Sequence, residues 1–148
     1  MNVYFGSDHA GHALKESLRE HVKSKGINVV DMGVFTETKP VDYPDIAKEL
    51  AAKVAIDGDL GILICGTGIG MSIAANKVKG IRAAHVGTPT EARFARLHNN
   101  ANILTLGQRI TGVEVAKDCV DSFLSTEFEG GRHDERVKKI MALEEPQK

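Results

Sequence analysis

The sequence predicts an α/β protein of three layers, in which a parallel β-sheet lies between two layers of helices. Five short apolar runs recur along the 148 residues, and segments with the period of an amphipathic helix separate them. The apolar runs show little alternation with polar residues, which indicates a sheet that is covered on both faces. A chain of this length fits a single domain over residues 1–148, with the last few residues as a frayed tail.

The predicted strands and helices alternate along the whole chain. The strands are residues 3–6, 27–32, 60–65, 81–86 and 103–106. The helices are residues 10–25, 44–57, 71–77, 88–98, 113–125 and 132–143. Each strand is a short apolar run, and the helices place apolar residues about three or four positions apart among charged ones.

Residues that favour helix ends mark several of these boundaries. Gly26 follows the first helix as a natural C-cap. Asp42 can cap the second helix, and Pro44 suits its first turn. Thr88 and Pro89 open the fourth helix in the same way. No linker, repeat or low-complexity segment interrupts the pattern, so we expect one continuous βαβ succession.

Composition excludes several classes of function. The net charge of −1 provides no overall field for nucleic acid or an anionic membrane. No run approaches the roughly 20 apolar residues of a membrane span, and the N-terminus does not resemble a signal peptide. Two cysteines without C-x-x-C spacing are too few for a disulfide framework. We therefore expect a cytoplasmic protein whose ligand is a small molecule.

Polar and reactive residues follow two of the predicted strands. In open parallel sheets, ligands bind beyond the carboxyl ends of the strands, where the strand order reverses. Asp8 and His9 follow the first strand, and residues 65–70 follow the third. If these strands are neighbours, as in a flavodoxin-like or Rossmann-like sheet, both loops face one crevice.

The loop after the third strand has two interpretations. Its three glycines within residues 66–70 can turn backbone N–H groups toward an anionic ligand, or can simply form a tight turn. The loop matches neither a Walker A motif nor G-x-G-x-x-G. Cys65 is either a small buried apolar residue or an activated thiol that can take a proton, with the Thr67 hydroxyl beside it. Cys119 lies on an amphipathic helix, where packing explains it.

Further polar residues lie in the second half of the chain. His98 and Asn99 end the fourth helix, as a C-terminal cap or as reactive groups. Arg132 and Arg136 lie one turn apart at the start of the last helix, where they are either solvated surface charge or a phosphate site. Arg109 follows the fifth strand.

Seven segments together resemble the type B ribose-5-phosphate isomerases, a family that also contains the subunits of galactose-6-phosphate isomerase. They are Gly6-Ser7-Asp8-His9-Ala10-Gly11, Val41-Asp42-Tyr43-Pro44-Asp45, Cys65-Gly66-Thr67-Gly68-Ile69-Gly70, Ala74-Ala75-Asn76-Lys77, Ile81-Arg82-Ala83-Ala84, His98-Asn99-Asn100-Ala101-Asn102 and Gly130-Gly131-Arg132-His133. They occur in the family's order over nearly the whole chain, which is far more specific than a single glycine loop.

The resemblance implies a fold, a reaction and an assembly. It implies a five-stranded parallel sheet in the order 2-1-3-5-4. It implies interconversion of ribose 5-phosphate and ribulose 5-phosphate, a step of the pentose phosphate pathway, without a metal or another cofactor. It also implies a homodimer whose active site is shared between subunits, with a dimer of dimers as a larger assembly.

The resemblance also implies roles for individual residues. Cys65 corresponds to the proton-abstracting base, and Thr67 to a group that stabilises the enediolate. His98 corresponds to the acid that opens the furanose ring. Some members use a glutamate instead of the cysteine, but Ala75 and Asn76 stand in that region here, so the chain resembles the cysteine-dependent branch. The expected substrate-binding residues are Asp8, Tyr43 and Asn99 for the sugar, His9, Arg109, Arg132 and Arg136 for the phosphate, and the backbone of Gly66, Gly68, Ile69 and Gly70 for the enediolate.

Two other functions remain open on the sequence alone. The same chemistry fits a hexose 6-phosphate, such as allose or galactose 6-phosphate, and pocket depth decides between these sugars. A non-catalytic module that binds a phosphosugar or nucleotide would use the same fold but not need Cys65.

Overall fold

A five-stranded parallel sheet forms the middle layer of the computed structural model, which describes residues 1–36 and 40–146. The strands are β1 (Asn2–Ser7), β2 (Asn28–Asp31), β3 (Leu60–Cys65), β4 (Ala83–His85) and β5 (Ile103–Gly107). The helices are α1 (His12–Ser24), α2 (Tyr43–Asp57), α3 (Ile69–Ala75), α4 (Pro89–Asn99), α5 (Val113–Ser125) and α6 (Arg132–Ala142).

The strand order is β2-β1-β3-β5-β4, which confirms the expected three-layer α/β fold and its topology. All of the strand pairs are parallel. Gly6 lies opposite Leu63 and Cys65 lies opposite Gly107, so the ends of β1, β3 and β5 come together at one edge of the sheet. The order reverses beside β1 and β3, which is where ligands bind in doubly wound sheets.

Apolar side chains cover both faces of the sheet. Successive residues of a strand point to opposite faces, so Ile62 and Ile64 contribute to one core and Leu63 and Cys65 to the other. Helices α1, α4 and α5 pack on the first face, and α2 and α3 pack on the second. Cys119 is fully buried in the first core, as the sequence indicated.

The predicted element boundaries differ from the structure mainly at three places. The first helix is preceded by a 3-10 turn over His9–Gly11, because Asp8 Oδ1 accepts a hydrogen bond from Gly11 N and holds that turn. Helix α3 begins at Ile69 rather than Met71, directly after Gly68. Strand β4 is shorter than predicted, because the N–H of Ile81 is bonded to Val78 O in the preceding turn.

Capping follows the sequence signals with one exception. Gly26 adopts φ +80° after α1, and Thr88 Oγ1 accepts a hydrogen bond from Glu91 N at the start of α4. Asp42 occupies the N-cap position of α2, but its side chain makes no capping hydrogen bond there. The backbone carbonyl of Asp42 instead accepts from Asp45 N.

None of the helices in residues 1–36 and 40–146 combines the length and the apolar character needed to cross a membrane. Beyond α6, Glu144 Oε1 accepts a hydrogen bond from Gly80 N, and Glu145 lies 3.6 Å from Lys79 Nζ. The last two residues of the predicted tail, 147 and 148, lie outside the described part of the chain.

Candidate active site

The loops after β1 and β3 line one cleft of about 510 Å³. Pairing of β1 with β3 makes the two loops neighbours, as the sequence argument required. Nine of the predicted site residues line this cleft: Asp8, His9, Tyr43, Cys65, Gly66, Thr67, Ile69, Gly70 and Arg109. The structure therefore gathers residues from four separate segments of the chain into one site.

Cys65 ends β3 at the floor of the cleft. Its side chain is 5% exposed, and it accepts a hydrogen bond at Sγ from the backbone N–H of Gly68 at 3.1 Å. This contact fixes the sulfur beside the glycine-rich loop, where it can act as a base toward a bound ligand. The arrangement gives Cys65 a polar partner that an ordinary core cysteine lacks.

Gly68 can point its N–H at the sulfur only because it has no side chain. Its φ is +84°, a left-handed value that residues with a Cβ rarely adopt. A Cβ at this position would lie 2.7 Å from His85 Nδ1 and 2.8 Å from the carbonyl carbon of Leu106. Both the backbone conformation and the close packing therefore require glycine here.

Gly70 serves a different purpose, which is to admit Tyr43. A Cβ on Gly70 would come within 2.6 Å of the Tyr43 ring, so the phenol lies directly against the first turn of α3. Tyr43 is the first residue of α2, and its side chain remains partly exposed toward the cleft. The phenol hydroxyl is thereby held beside the glycine-rich loop.

The remaining cleft residues are held by backbone contacts. The carboxylate of Asp8 is fixed by the N–H of Gly11 at 3.0 Å. The N–H of Arg109 donates to Gly66 O at 2.9 Å, and the Arg109 guanidinium lies about 3.5 Å from the position of a Cβ on Gly66. Thr67 Oγ1 accepts from Ile69 N at 3.2 Å, which leaves the Thr67 hydroxyl proton available to a ligand oxygen. The cleft thus combines a thiol, a hydroxyl, a carboxylate and a guanidinium.

Five predicted site residues do not line the cleft within one chain. One is Gly68, which contacts the Cys65 sulfur from behind the loop through its N–H, and the other four lie elsewhere. His98 and Asn99 end α4, while Arg132 and Arg136 lie on α6. Helix α6 packs against α4 at this place, because the His133 ring stacks on the His98 ring with centroids 4.2 Å apart. These four residues therefore form a second group, built by the α4–α6 contact.

Sequence reasoning missed several residues of both groups. Ala10 and Ile73 line the cleft, and the carboxylate of Glu129 lies 3.7 Å from His98 Nε2 and 3.8 Å from His133 Nε2. The spacing of Glu129 and His133, four residues apart, was a usable signal. Their proximity to His98 was not, because it depends on how α6 packs against α4.

A larger hollow of about 780 Å³ lies among the end of α3, β4 and α6. Its lining includes Arg82, Ile140 and Met141, and among the predicted site residues it includes Asn99 alone. The Arg82 guanidinium is engaged there with the carbonyl oxygens of Asn99 and Asn100. This hollow contains none of the reactive side chains of the cleft.

The chain is therefore a doubly wound α/β protein. The cleft at the carboxyl ends of its strands contains a cysteine whose sulfur accepts a backbone hydrogen bond. A family model described as Ribose/Galactose Isomerase matches residues 3–140. The chain belongs to this ribose/galactose isomerase family, and the resemblance seen in the sequence is confirmed.

Individual relatives are similar along their whole length. The chain is 45% identical over 146 residues to ribose-5-phosphate isomerase B of Escherichia coli (strain K12), an alignment that covers 97% of this chain and 96% of that one. The structure of Clostridium thermocellum ribose-5-phosphate isomerase B matches with a TM-score of 0.94 at 48% identity, covering 97% of each chain. Ribose-5-phosphate isomerase B of Mycoplasma genitalium, solved with bound ribulose-5-phosphate, matches with a TM-score of 0.93 at 48% identity over 97% of this chain and 95% of that one.

Proposed function

We propose that this protein is an aldose–ketose isomerase that interconverts ribose 5-phosphate and ribulose 5-phosphate. The observation that carries the proposal is the hydrogen bond from Gly68 N to Cys65 Sγ, in a cleft that also contains Asp8, Tyr43 and Arg109. Family membership and the relatives that are named ribose-5-phosphate isomerase B support the same reaction. The relative solved with ribulose-5-phosphate supports a five-carbon substrate.

The reaction moves one proton between adjacent carbons of the open-chain sugar. The Cys65 thiolate removes the proton from C2 of the aldose, and the electrons of that bond form the enediolate while the aldehyde oxygen becomes negative. The proton of the C2 hydroxyl passes to the charged O1, and the resulting thiol returns the abstracted proton to C1. These two transfers yield the ketose and regenerate the thiolate. A general base must be held within reach of the proton that it takes, and the Gly68 N–H fixes the Cys65 sulfur in the cleft.

Negative charge on the substrate oxygen is stabilised by donors that are already in place. The N–H groups of Gly68 and Ile69 are already bonded to Cys65 Sγ and Thr67 Oγ1. The Thr67 hydroxyl lines the cleft beside Cys65, and we assign the other contacts to the N–H groups of Gly66 and Gly70. Losing one such donor raises the barrier by about 3 kcal/mol in comparable sites, because fixed dipoles need no reorganisation during the reaction. Asp8 and Tyr43 hold the sugar hydroxyls.

The phosphate does not react, but its binding energy positions the carbon that does. His9 and Arg109 line the cleft and supply contacts from this chain. Arg132 and Arg136 supply further guanidinium contacts, which suit phosphate because they combine charge with paired N–H donors. Energy from this remote contact holds C2 against the sulfur, so the arginines contribute to the rate as well as to affinity.

We place the second group of residues opposite the cleft of a second copy, in a homodimer with two shared active sites. His98, Asn99, Arg132 and Arg136 lie together on α4 and α6 and do not line the cleft of their own chain. In the dimer, His98 of one subunit opens the furanose ring of the sugar that the other subunit's Cys65 isomerises. Asn99 assists His98, and a dimer of dimers is compatible with the same pairing.

A coupled assay tests the proposed substrate. We expect kcat/KM for ribose 5-phosphate to exceed the values for allose 6-phosphate and galactose 6-phosphate by about tenfold or more. A hexose phosphate has one more carbon, which must fit within the same distance between the phosphate-binding residues and the Cys65 sulfur. A preference for either hexose would assign the hexose phosphate isomerase activity instead. Binding of all three sugars without turnover would indicate a non-catalytic module.

Location in the cytoplasm stays a prediction from the sequence.

A further inference from the structure

Three potential metal ligands meet where α6 packs against α4. They are His98 at the end of α4, Glu129 in the loop that precedes α6, and His133 in the first turn of α6. One ligand atom from each side chain lies within 4.8 Å of the other two. The proposed reaction uses His98 but neither Glu129 nor His133.

The carboxylate of Glu129 lies between the two imidazoles. Its Oε2 atom is 3.7 Å from His98 Nε2 and 3.8 Å from His133 Nε2. Ligand atoms around a tetrahedral zinc ion lie about 3.3–3.5 Å from one another, because each metal–ligand bond is about 2.0–2.2 Å long. The two carboxylate distances are therefore within about 0.5 Å of the spacing that zinc requires. The His98 and His133 rings stack at 14°, so both imidazoles must turn until their Nε2 lone pairs converge on one ion.

Backbone contacts hold the three residues near this geometry. The N–H of Glu129 donates to Leu97 O at 3.1 Å, which ties the loop to the residue before His98. The N–H of His133 donates to Gly130 O at 3.1 Å, and its side chain is largely buried against the His98 ring. Glu129 is more than half exposed, so an ion can reach the cluster from solvent.

We propose that His98, Glu129 and His133 form a binding site for a divalent transition-metal ion, with zinc as the best fit, and that an ion bound there inhibits the enzyme. Two imidazoles and one carboxylate are a ligand set that suits zinc and leaves one position open for water or an anion. Inhibition rests on the proposed function, because coordination occupies His98 Nε2 and removes the acid that opens the sugar ring.

Nearby charges set limits on the affinity. Arg132 and Arg136 lie on the same helix as His133, and their guanidinium groups repel a cation. The Glu129 carboxylate offsets part of that repulsion, so we expect weaker binding than in a structural zinc site.

Calorimetric titration of the metal-free protein with zinc chloride tests the site without an activity assay. We expect one ion per chain, and binding weakened by about tenfold or more in Glu129→Gln and in His133→Asn. Glu127→Gln is the matched control, because Glu127 is an exposed carboxylate of the same loop and is not part of the cluster. Glu129→Gln keeps the test valid if the buried His133→Asn substitution impairs folding.

Cobalt(II) spectra identify the ligands that are used. We expect bands of a nitrogen and oxygen ligand set, and the same stoichiometry in Cys65→Ala. Three results would each overturn the proposal: a thiolate-to-cobalt charge-transfer band, zinc binding that is unchanged in both Glu129→Gln and His133→Asn, or no heat of binding up to millimolar zinc.

The isomerase assay tests the inhibition. Inhibition by zinc should weaken by about tenfold in Glu129→Gln, relative to that variant's own rate without metal. The titration decides the metal site even if the chain isomerises no sugar phosphate.

Discussion

Gly68 N donates a hydrogen bond to Cys65 Sγ at 3.1 Å, which joins the end of β3 to the residue immediately before α3. The two residues are three positions apart, and the turn between them reverses the chain so that a backbone donor faces the sulfur. An N–H that is held in this way fixes the position of the sulfur at the start of the glycine-rich loop. Cys65, the proposed base, and the glycine-rich loop, the proposed site for the negatively charged oxygen, are therefore positioned by the same turn.

Replacing Cys65 by alanine should remove isomerisation almost completely while the fold persists. A positioned base contributes about 10²–10⁴-fold to rate, so we expect kcat to fall by about 10³-fold or more. Phosphosugar affinity, measured by calorimetry, should change little, because the arginines and hydroxyl-binding groups remain. Near-normal turnover in this variant would exclude Cys65 as the base.

Cys119→Ala is the matched control for this prediction. Cys119 is fully buried in the core on α5, where burial raises the pKa of its thiol to about 11. We expect a loss of stability of about 1–2 kcal/mol from the cavity, with turnover per folded molecule unchanged. Iodoacetamide at pH 8 should label Cys65 and spare Cys119, as peptide mass analysis can show, because Cys119 stays protonated and inaccessible. Labelling of Cys119 first would contradict this assignment.

Gly68→Ala should damage catalysis more than stability. An alanine Cβ would meet His85 and the Leu106 backbone, so the loop must shift and withdraw its N–H from Cys65. We expect kcat to fall by about 10²-fold, because a displacement of about 1 Å in a positioned catalytic group can cost that much. Gly58→Ala provides the control, because φ there is +73° and nothing lies within 4 Å of the added Cβ. Both variants should lose about 1 kcal/mol from backbone strain, and equal rates in the two would refute the role of Gly68.

His98→Asn should affect ring-closed substrates most. Ribose 5-phosphate must be opened before C2 can react, whereas an aldose 4-phosphate of four carbons cannot close a furanose ring. We expect turnover of ribose 5-phosphate to fall by about 10²-fold and that of the four-carbon substrate by much less. Steady-state assays of both substrates check this, and equal losses would remove His98 from ring opening.

Mixed dimers can test whether the active site is shared. Arg136→Ala should raise KM by about tenfold or more through loss of a charge-assisted phosphate contact, and Cys65→Ala should be inactive. If two chains build each site, a dimer of one variant of each kind contains one site with both residues native. Random mixing should then restore about a quarter of the native sites. Unchanged activity on mixing, with subunit exchange verified by mass spectrometry, would place each complete site within one chain.

Much of the fold could be read from local patterns in the sequence. The bounds of β3 and α5 agree with those predicted, and the other elements differ by a few residues at their ends. Such agreement is expected where an apolar run or a helical period is unbroken, because each pattern reflects which side of the element is buried. Helix α3 was placed two residues late, since the sequence does not reveal that Gly68 adopts a left-handed conformation beside Cys65.

The sequence by itself determined the succession of strands and helices and the residues that follow each strand. It also identified the cysteine and the glycine-rich loop, because their chemistry resides in neighbouring positions. Only the tertiary structure decided that nine of the predicted residues share a cleft while His98, Asn99, Arg132 and Arg136 lie apart on α4 and α6. The His98–Glu129–His133 cluster is likewise a product of packing. Its members are up to 35 positions apart, and contacts across such distances depend on how whole helices pack rather than on any local pattern.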